Sequence, residues 1–215
     1  MNPNPMQNWN AEIAQFVEAA HRTAEHGLVR CSSGNLSWRL NDELCLVTAT
    51  HSWLGKLMPE QVAICRVADG APVNNVKPSV EAGFHVGVLG SRLDIRVVLH
   101  FQSPAATAFA CRRDAGTVDY AVIPEIPVYV GPVAVVPYLP PGSAELAQAI
   151  VAALAGRNLA LLRNHGLVTV GRDLDDALQK ASFFELACQI LLAAGDQAQA
   201  LPDSAVRALQ NIGHG

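Results

Sequence analysis

Residues 95–100 read Ile-Arg-Val-Val-Leu-His, a near-continuous apolar run that ends on an imidazole and passes through Gln102 and Ser103 to Pro104. A short β-branched and aliphatic run of this kind reads as a buried strand, which needs helices packed against its sheet. The stretch LALLRNHGLVTVG, residues 159–171, repeats the theme as strand, Asn-His-Gly turn and strand. These two stretches require a layered fold in which polar side chains emerge only at strand ends.

The remaining segments fill in the layers. Residues 12–26 carry Ile13, Phe16, Val17 and Ala20 at helical spacing, with Gly27 as C-cap. CSSGNLSWRL is a Ser/Gly turn running into alternating Leu36, Trp38 and Leu40, and Asn41–Glu43 turns it into a second strand, LCLVTAT. Pro59 starts a short helical turn and AICRV is another strand. Ser79 is placed as the cap of a helix over 80–89, with Glu81 in its first turn. Further helices are expected over 103–111, over 143–156 ending at Gly156, over 174–194 capped by Asp173, and near 204–209; residues 118–138 read as three short β-rich pieces. Eight or nine short strands, several joined as hairpins, predict an α/β fold: a central mixed, mostly antiparallel sheet flanked by helices on both faces. No repeat or linker interrupts the chain, so a single domain over residues 1–215 is expected.

Composition narrows the partners. Half of the 215 residues are hydrophobic, enough for one sizeable core. A net charge of −4 argues against nucleic acid as a general partner, whereas a small anion needs only a local pocket. The five cysteines are scattered without a CxxC pair, which fits a reducing, cytoplasmic compartment. The first ten residues have neither a basic nor an apolar signal-peptide region, and the apolar runs are broken well short of a membrane span, so no membrane partner is expected. Neither a GxGxxG nor a GxxxxGK[ST] sequence is present.

The candidate chemistry lies at the strand ends. His100 and His165 are imidazoles held rigidly at the mouth of a sheet, the arrangement that a metal site needs. Glu81 opens a helix among Val80, Ala82, Gly83 and Phe84; burial raises the pKa of a carboxylate and makes it a usable general base near neutral pH. Ser32, Ser33, Gly34 and Asn35 make a donor-rich concavity suited to phosphate or carboxylate, to which Thr50 and Ser79 add hydroxyls if the loops converge.

GNLSWR, VTAT, KPSVE, VVLHFQS and NHGLVTVG, in this order and spacing, resemble the class II aldolase/adducin family, and within it the L-fuculose-phosphate aldolases. The resemblance implies a divalent metal, with zinc the expected ion, held by three histidines beside a glutamate acid/base. His100 and His165 match two ligands, and Gln102 stands where the family has another. An amide oxygen is a poorer zinc donor than imidazole, so Gln102 binds weakly, or another residue such as His51 or a water substitutes, or metal affinity is lower. Glu81 matches the glutamate; Ser32, Gly34, Asn35, Thr50 and Ser79 match the phosphate loops. His51 stands where the family usually has glycine and is expected to touch substrate, and Val80 replaces a second phosphate-binding serine. No tyrosine follows Ala194 to match a proton donor in the family's tail, and Tyr120 lies near its other active-site tyrosine.

The implied activity is a metal-dependent aldolase, a carbon–carbon lyase that cleaves a small ketose phosphate such as L-fuculose 1-phosphate through a metal-stabilised enediolate. The same resemblance admits a decarboxylase or epimerase acting on a hydroxy-keto substrate, or a non-catalytic adducin-like module; the expected small-molecule partner is a sugar phosphate or a hydroxy-keto acid. It also implies a homotetramer with the pocket between subunits.

Overall fold

The computed structural model of the protein describes residues 9–212. The signal-peptide expectation rests largely on residues 1–8, which lie outside that range. Seven strands form one sheet: β1 (Asn35–Arg39), β2 (Leu44–Thr48), β3 (Val62–Arg66), β4 (Val97–Phe101), β5 (Val133–Val136), β6 (Leu159–Leu162) and β7 (Gly166–Gly171). Their order is β3-β2-β1-β4-β7-β6-β5, and every neighbouring pair is antiparallel except β5 with β6.

Period-2 alternation divides the strand residues between two cores. On one face Leu36, Leu46, Leu99, Phe101, Leu161 and Leu167 pack against α1 (Asn10–Glu25), α3 (Pro104–Ala110) and α5 (Leu174–Ala194). On the other, Val47, Ala63, Val98, Ala160, Val168 and Val170 pack against α2 (Ala82–Ser91) and α4 (Ala144–Ala153). The result is the expected mixed, mostly antiparallel sheet with helices on both faces. Asp173 accepts from the Asp176 amide to cap α5, and Ser143 from the Leu146 amide to cap α4, as the sequence predicts. A last helix, α6 (Asp203–Ile212), closes the described chain.

Three expectations change. Residues 118–138 contain one strand, β5, and a π-helical turn, Ile126–Val130, instead of three β pieces. Pro124, Pro127 and Pro132 remove ladder donors across this stretch. Helix α2 starts two residues later than expected, with Glu81 itself at the N-cap and Ser79 one turn ahead, where its Oγ accepts from the Glu81 amide at 3.2 Å. Finally, α5 is long and apolar enough by composition to cross a membrane, unlike any run foreseen from the sequence. It lies instead against β7 and α3, and its buried charges have protein partners: Lys180 donates to Asp176 and to the Val170 carbonyl, while Glu185 accepts from Ser103 Oγ and the amides of Ala105 and Ala106.

Candidate active site

The alternation that builds the core also aims the site. Along β1 and β4 it turns Asn35, Ser37, Val98 and His100 toward α2, with Asn35 opposite His100 in the ladder. Glu81 and His85, four residues apart at the start of α2, face back toward the sheet one turn from each other. His165 arrives from the turn between β6 and β7. The rings of His100 and His165 have centroids 4.8 Å apart. Glu81 Oε2 lies 3.6 Å from His100 Nε2, and Glu81 Oε1 lies 3.5 Å from His165 Nε2.

Two glycines make this convergence possible. Gly34 has a φ of 76°, and a Cβ there would sit 2.7 Å from the His100 carbonyl oxygen, so only glycine lets the Ser32–Asn35 loop press against the end of β4. A Cβ on Gly166 would meet the Phe101 carbonyl and Gln102 Cγ at 2.7 Å and His100 Cε1 at 3.2 Å, so its absence admits the imidazole and the glutamine stem together.

The donor set fits a divalent cation. His100 Nδ1 donates to the Leu167 carbonyl at 2.9 Å, which fixes the tautomer and leaves Nε2 as a lone pair facing the carboxylate. One ligand atom from each of Glu81, His100 and His165 falls within 4.8 Å of the others. Glu81 Oε1 and His165 Nδ1 are buried with no hydrogen-bond partner, a costly condition for a polar atom unless something else satisfies the group. Burial, and secondarily the neighbouring His100, push the pKa of His165 down, with Glu81 opposing. His165 is therefore a neutral imidazole near pH 7, a ligand form, and its closeness to Glu81 is not an ion pair.

The other predicted residues join the same cleft. Ser32, Gly34, Asn35, Thr50, His51, Ser79, Glu81, His100, Gln102 and His165 together line a cavity of about 200 Å³. An isolated bridge between Ala49 and Pro78 joins two of its loops, reinforced by Ser79 N–H to Thr48 O at 2.9 Å and Thr50 N–H to Lys77 O at 3.1 Å. Gln102 is half-buried at the rim, with its backbone N–H donating to Leu28 O at 3.0 Å. His51 is exposed, and Val80, also in the lining, is 64% exposed.

Tyr120 lies elsewhere. Its ring is buried against Phe109 and Phe184 and its hydroxyl donates to the Ala115 carbonyl at 3.1 Å, so it is a core residue and not part of the cleft. Conversely, the sequence reading passed over His85 and Ser37. His85 Nδ1 lies 2.7 Å from Ser37 Oγ, its Nε2 bonds Asn35 Oδ1, and Asn35 Nδ2 donates to Glu81 Oε2 at 2.9 Å. The available signal was the four-residue spacing from Glu81, which places both side chains on one helix face.

The sequence model described as Class II Aldolase and Adducin N-terminal domain matches residues 14–192. The chain belongs to the class II aldolase and adducin family. Among curated relatives, the 3-oxo-tetronate 4-phosphate decarboxylase of Haemophilus influenzae is 34% identical over 208 residues, covering 94% of this chain and 98% of its own. The L-fuculose phosphate aldolase of Methanococcus maripaludis strain C5 is 28% identical over 178 residues, covering 83% and 94%. Among solved structures, YgbL of Klebsiella pneumoniae superimposes with a TM-score of 0.87 at 27% identity over 94% of this chain and 99% of its own. Class II aldolases are metal-dependent, in keeping with the Glu81, His100 and His165 group.

Proposed function

We propose that the protein is a metal-dependent decarboxylase of a small 3-oxo sugar-acid phosphate of the 3-oxo-tetronate 4-phosphate type. The observation that carries this reading is the 34% identity to such a decarboxylase along nearly the full length of both chains. It replaces the aldolase as the leading reading, because the aldolase relative is less similar over a shorter span. The two reactions share one intermediate. Breaking C1–C2 of the keto acid releases CO2, and the bonding electrons move onto the C3 oxygen to give the enediolate of dihydroxyacetone phosphate. Splitting L-fuculose 1-phosphate between C3 and C4 gives the same enediolate, but only after a proton leaves the C4 hydroxyl.

The cleft favours the first. CO2 departs without surrendering a proton, so a single acid suffices to protonate C2. Among the described residues lining the cleft, Glu81 is the one carboxylic acid and no tyrosine is present. His100 and His165 would hold the ion, with Gln102 beside them; zinc suits two imidazoles and an oxygen donor. When bound, the ion supplies the positive charge that an oxyanion at C3 requires. The Ser32–Asn35 loop, Thr50 and Ser79 would hold the phosphate through neutral donors, and His51 would reach the anionic substrate from the rim. On the family's precedent the protein would be a cytoplasmic homotetramer, so sedimentation should return four times the 22.8 kDa chain mass and not the chain mass alone.

Incubation with 3-oxo-tetronate 4-phosphate and, separately, with L-fuculose 1-phosphate distinguishes the readings. Stoichiometric CO2 and triose phosphate from the first, without aldehyde from the second, is the expected result. Aldehyde release without CO2 would make the protein an aldolase, and turnover of neither would overturn both readings. Glu81→Gln should lower kcat by about 10²–10⁴-fold, as loss of a general acid does.

A further inference from the structure

Behind Glu81 runs a buried chain of polar groups whose proton directions all follow from one carboxylate. Ser37 and His85 are fully buried, and Asn35 and Glu81 are each 7% exposed. Glu81 Oε2 accepts a hydrogen bond at 2.9 Å, so the group that Asn35 presents to it is the NH2. Asn35 Oδ1 therefore faces His85 and must accept, so His85 carries its hydrogen on Nε2. Nδ1 is then a lone pair, and the Ser37 hydroxyl, 2.7 Å away, donates to it. Burial first, and the nearby His100 second, push the His85 pKa down to about 3, so no second proton overrides this tautomer near neutral pH. The ring is also held by stacking on Phe84, with centroids 4.4 Å apart.

The consequence falls on the two oxygens of Glu81. Oε2 is committed to accepting from Asn35 whether the carboxyl is charged or neutral. Oε1 is buried, without a hydrogen-bond partner, and turned toward His165. We propose that His85 is a positioning residue that, through Asn35 and with Ser37 behind it, reserves Oε1 of Glu81 as the oxygen that carries the catalytic proton. With the opposite tautomer the Asn35 amide would turn over, its oxygen would face Oε2, and Glu81 would hold its proton on Oε2, bonded to Asn35. The inference rests on the reading of Glu81 as the proton carrier and extends the site to residues that touch neither substrate nor ion.

The test separates a missing donor from a missing ring. The terminal amide of glutamine reaches the place of Nε2–H, whereas phenylalanine fills the ring's space without a donor. His85→Phe should lower kcat by about 10–100-fold with KM and bound metal retained, and His85→Gln should recover most of the loss. A role in packing alone predicts the reverse order, with the Phe variant closer to wild type. Should His85→Phe fail to fold, Ser37→Ala removes only the hydrogen-bond partner of Nδ1 and is expected to lower kcat severalfold at unchanged KM. Independently of activity, the ¹⁵N shifts of His85 in the wild-type protein should report a neutral, Nε2-protonated ring between about pH 6 and 9. A ring protonated on Nδ1, or a His85→Phe enzyme with wild-type kcat, would overturn the proposal. If the wild-type protein turned over none of the substrates, the functional reading would fail while the ¹⁵N spectrum still decided the tautomer.

Discussion

Cys31, His51 and Asn164 are the non-glycine residues with positive φ among those described, at 55°, 61° and 55°. All three lie in loops of the cleft or next to its lining residues. A left-handed backbone costs an L-residue about 1–2 kcal/mol, and such strain clusters at functional sites. At position 51 glycine would avoid that cost, so the imidazole is what the position retains. His51→Gly should leave stability within about 1 kcal/mol of wild type, since relieved strain offsets the extra freedom of the unfolded chain. It should also raise KM severalfold for the phosphorylated keto acid; paired thermal melts and steady-state kinetics check both. An unchanged KM would remove His51 from the substrate contacts. At this scale the sequence exposes residues that break a pattern: His100 and His165 end apolar strands, and Glu81 interrupts an apolar helix start. It hides His85, because a histidine between Phe84 and Val86 on a buried helix reads as core until its partners on β1 are known.

The elements show where local reading stops. The helices α4 and α5 have caps within three residues of their starts and were legible for that reason. The start of α3 is satisfied instead by Glu185, about eighty residues away on α5, which no local motif announces. The proline-rich stretch after residue 118 has β-branched composition but lacks ladder donors, so composition misled. Helix α2 carries part of the pH dependence, through His85. The folded-state pKa of His85, about 3, lies below that of a free imidazole near 6.5, so the unfolded chain binds the extra proton. The associated stability is fully present above about pH 6.5 and is lost as pH falls from there toward 3. Urea midpoints measured between about pH 7 and 4 should therefore decline for the wild type. The decline should be shallower in His85→Gln by up to about 1.4 kcal/mol per pH unit. Equal slopes would mean that His85 is not held neutral by the fold.

For the whole molecule, one sheet with a core on each face explains why the fold could be read from strand patterns. Buried strands dictate covering helices, and covered strands leave polar side chains free only at their ends. The site is harder to read, because its residues come from β1, β4, the start of α2 and five loops that meet only in the folded chain. The choice between decarboxylation and aldol cleavage is harder still, since both pass through the same enediolate. What underlies every reading of activity is that two imidazoles share one cation beside the Glu81 carboxyl. The most direct measurement is calorimetric titration of chelator-stripped protein with zinc, for the wild type and for His165→Ala. One ion per chain in the wild type, with binding weakened at least about 10-fold in the variant and thermal stability rising on loading, is the predicted result. Binding that is absent from the wild type, or equally tight after His165 is removed, would contradict it.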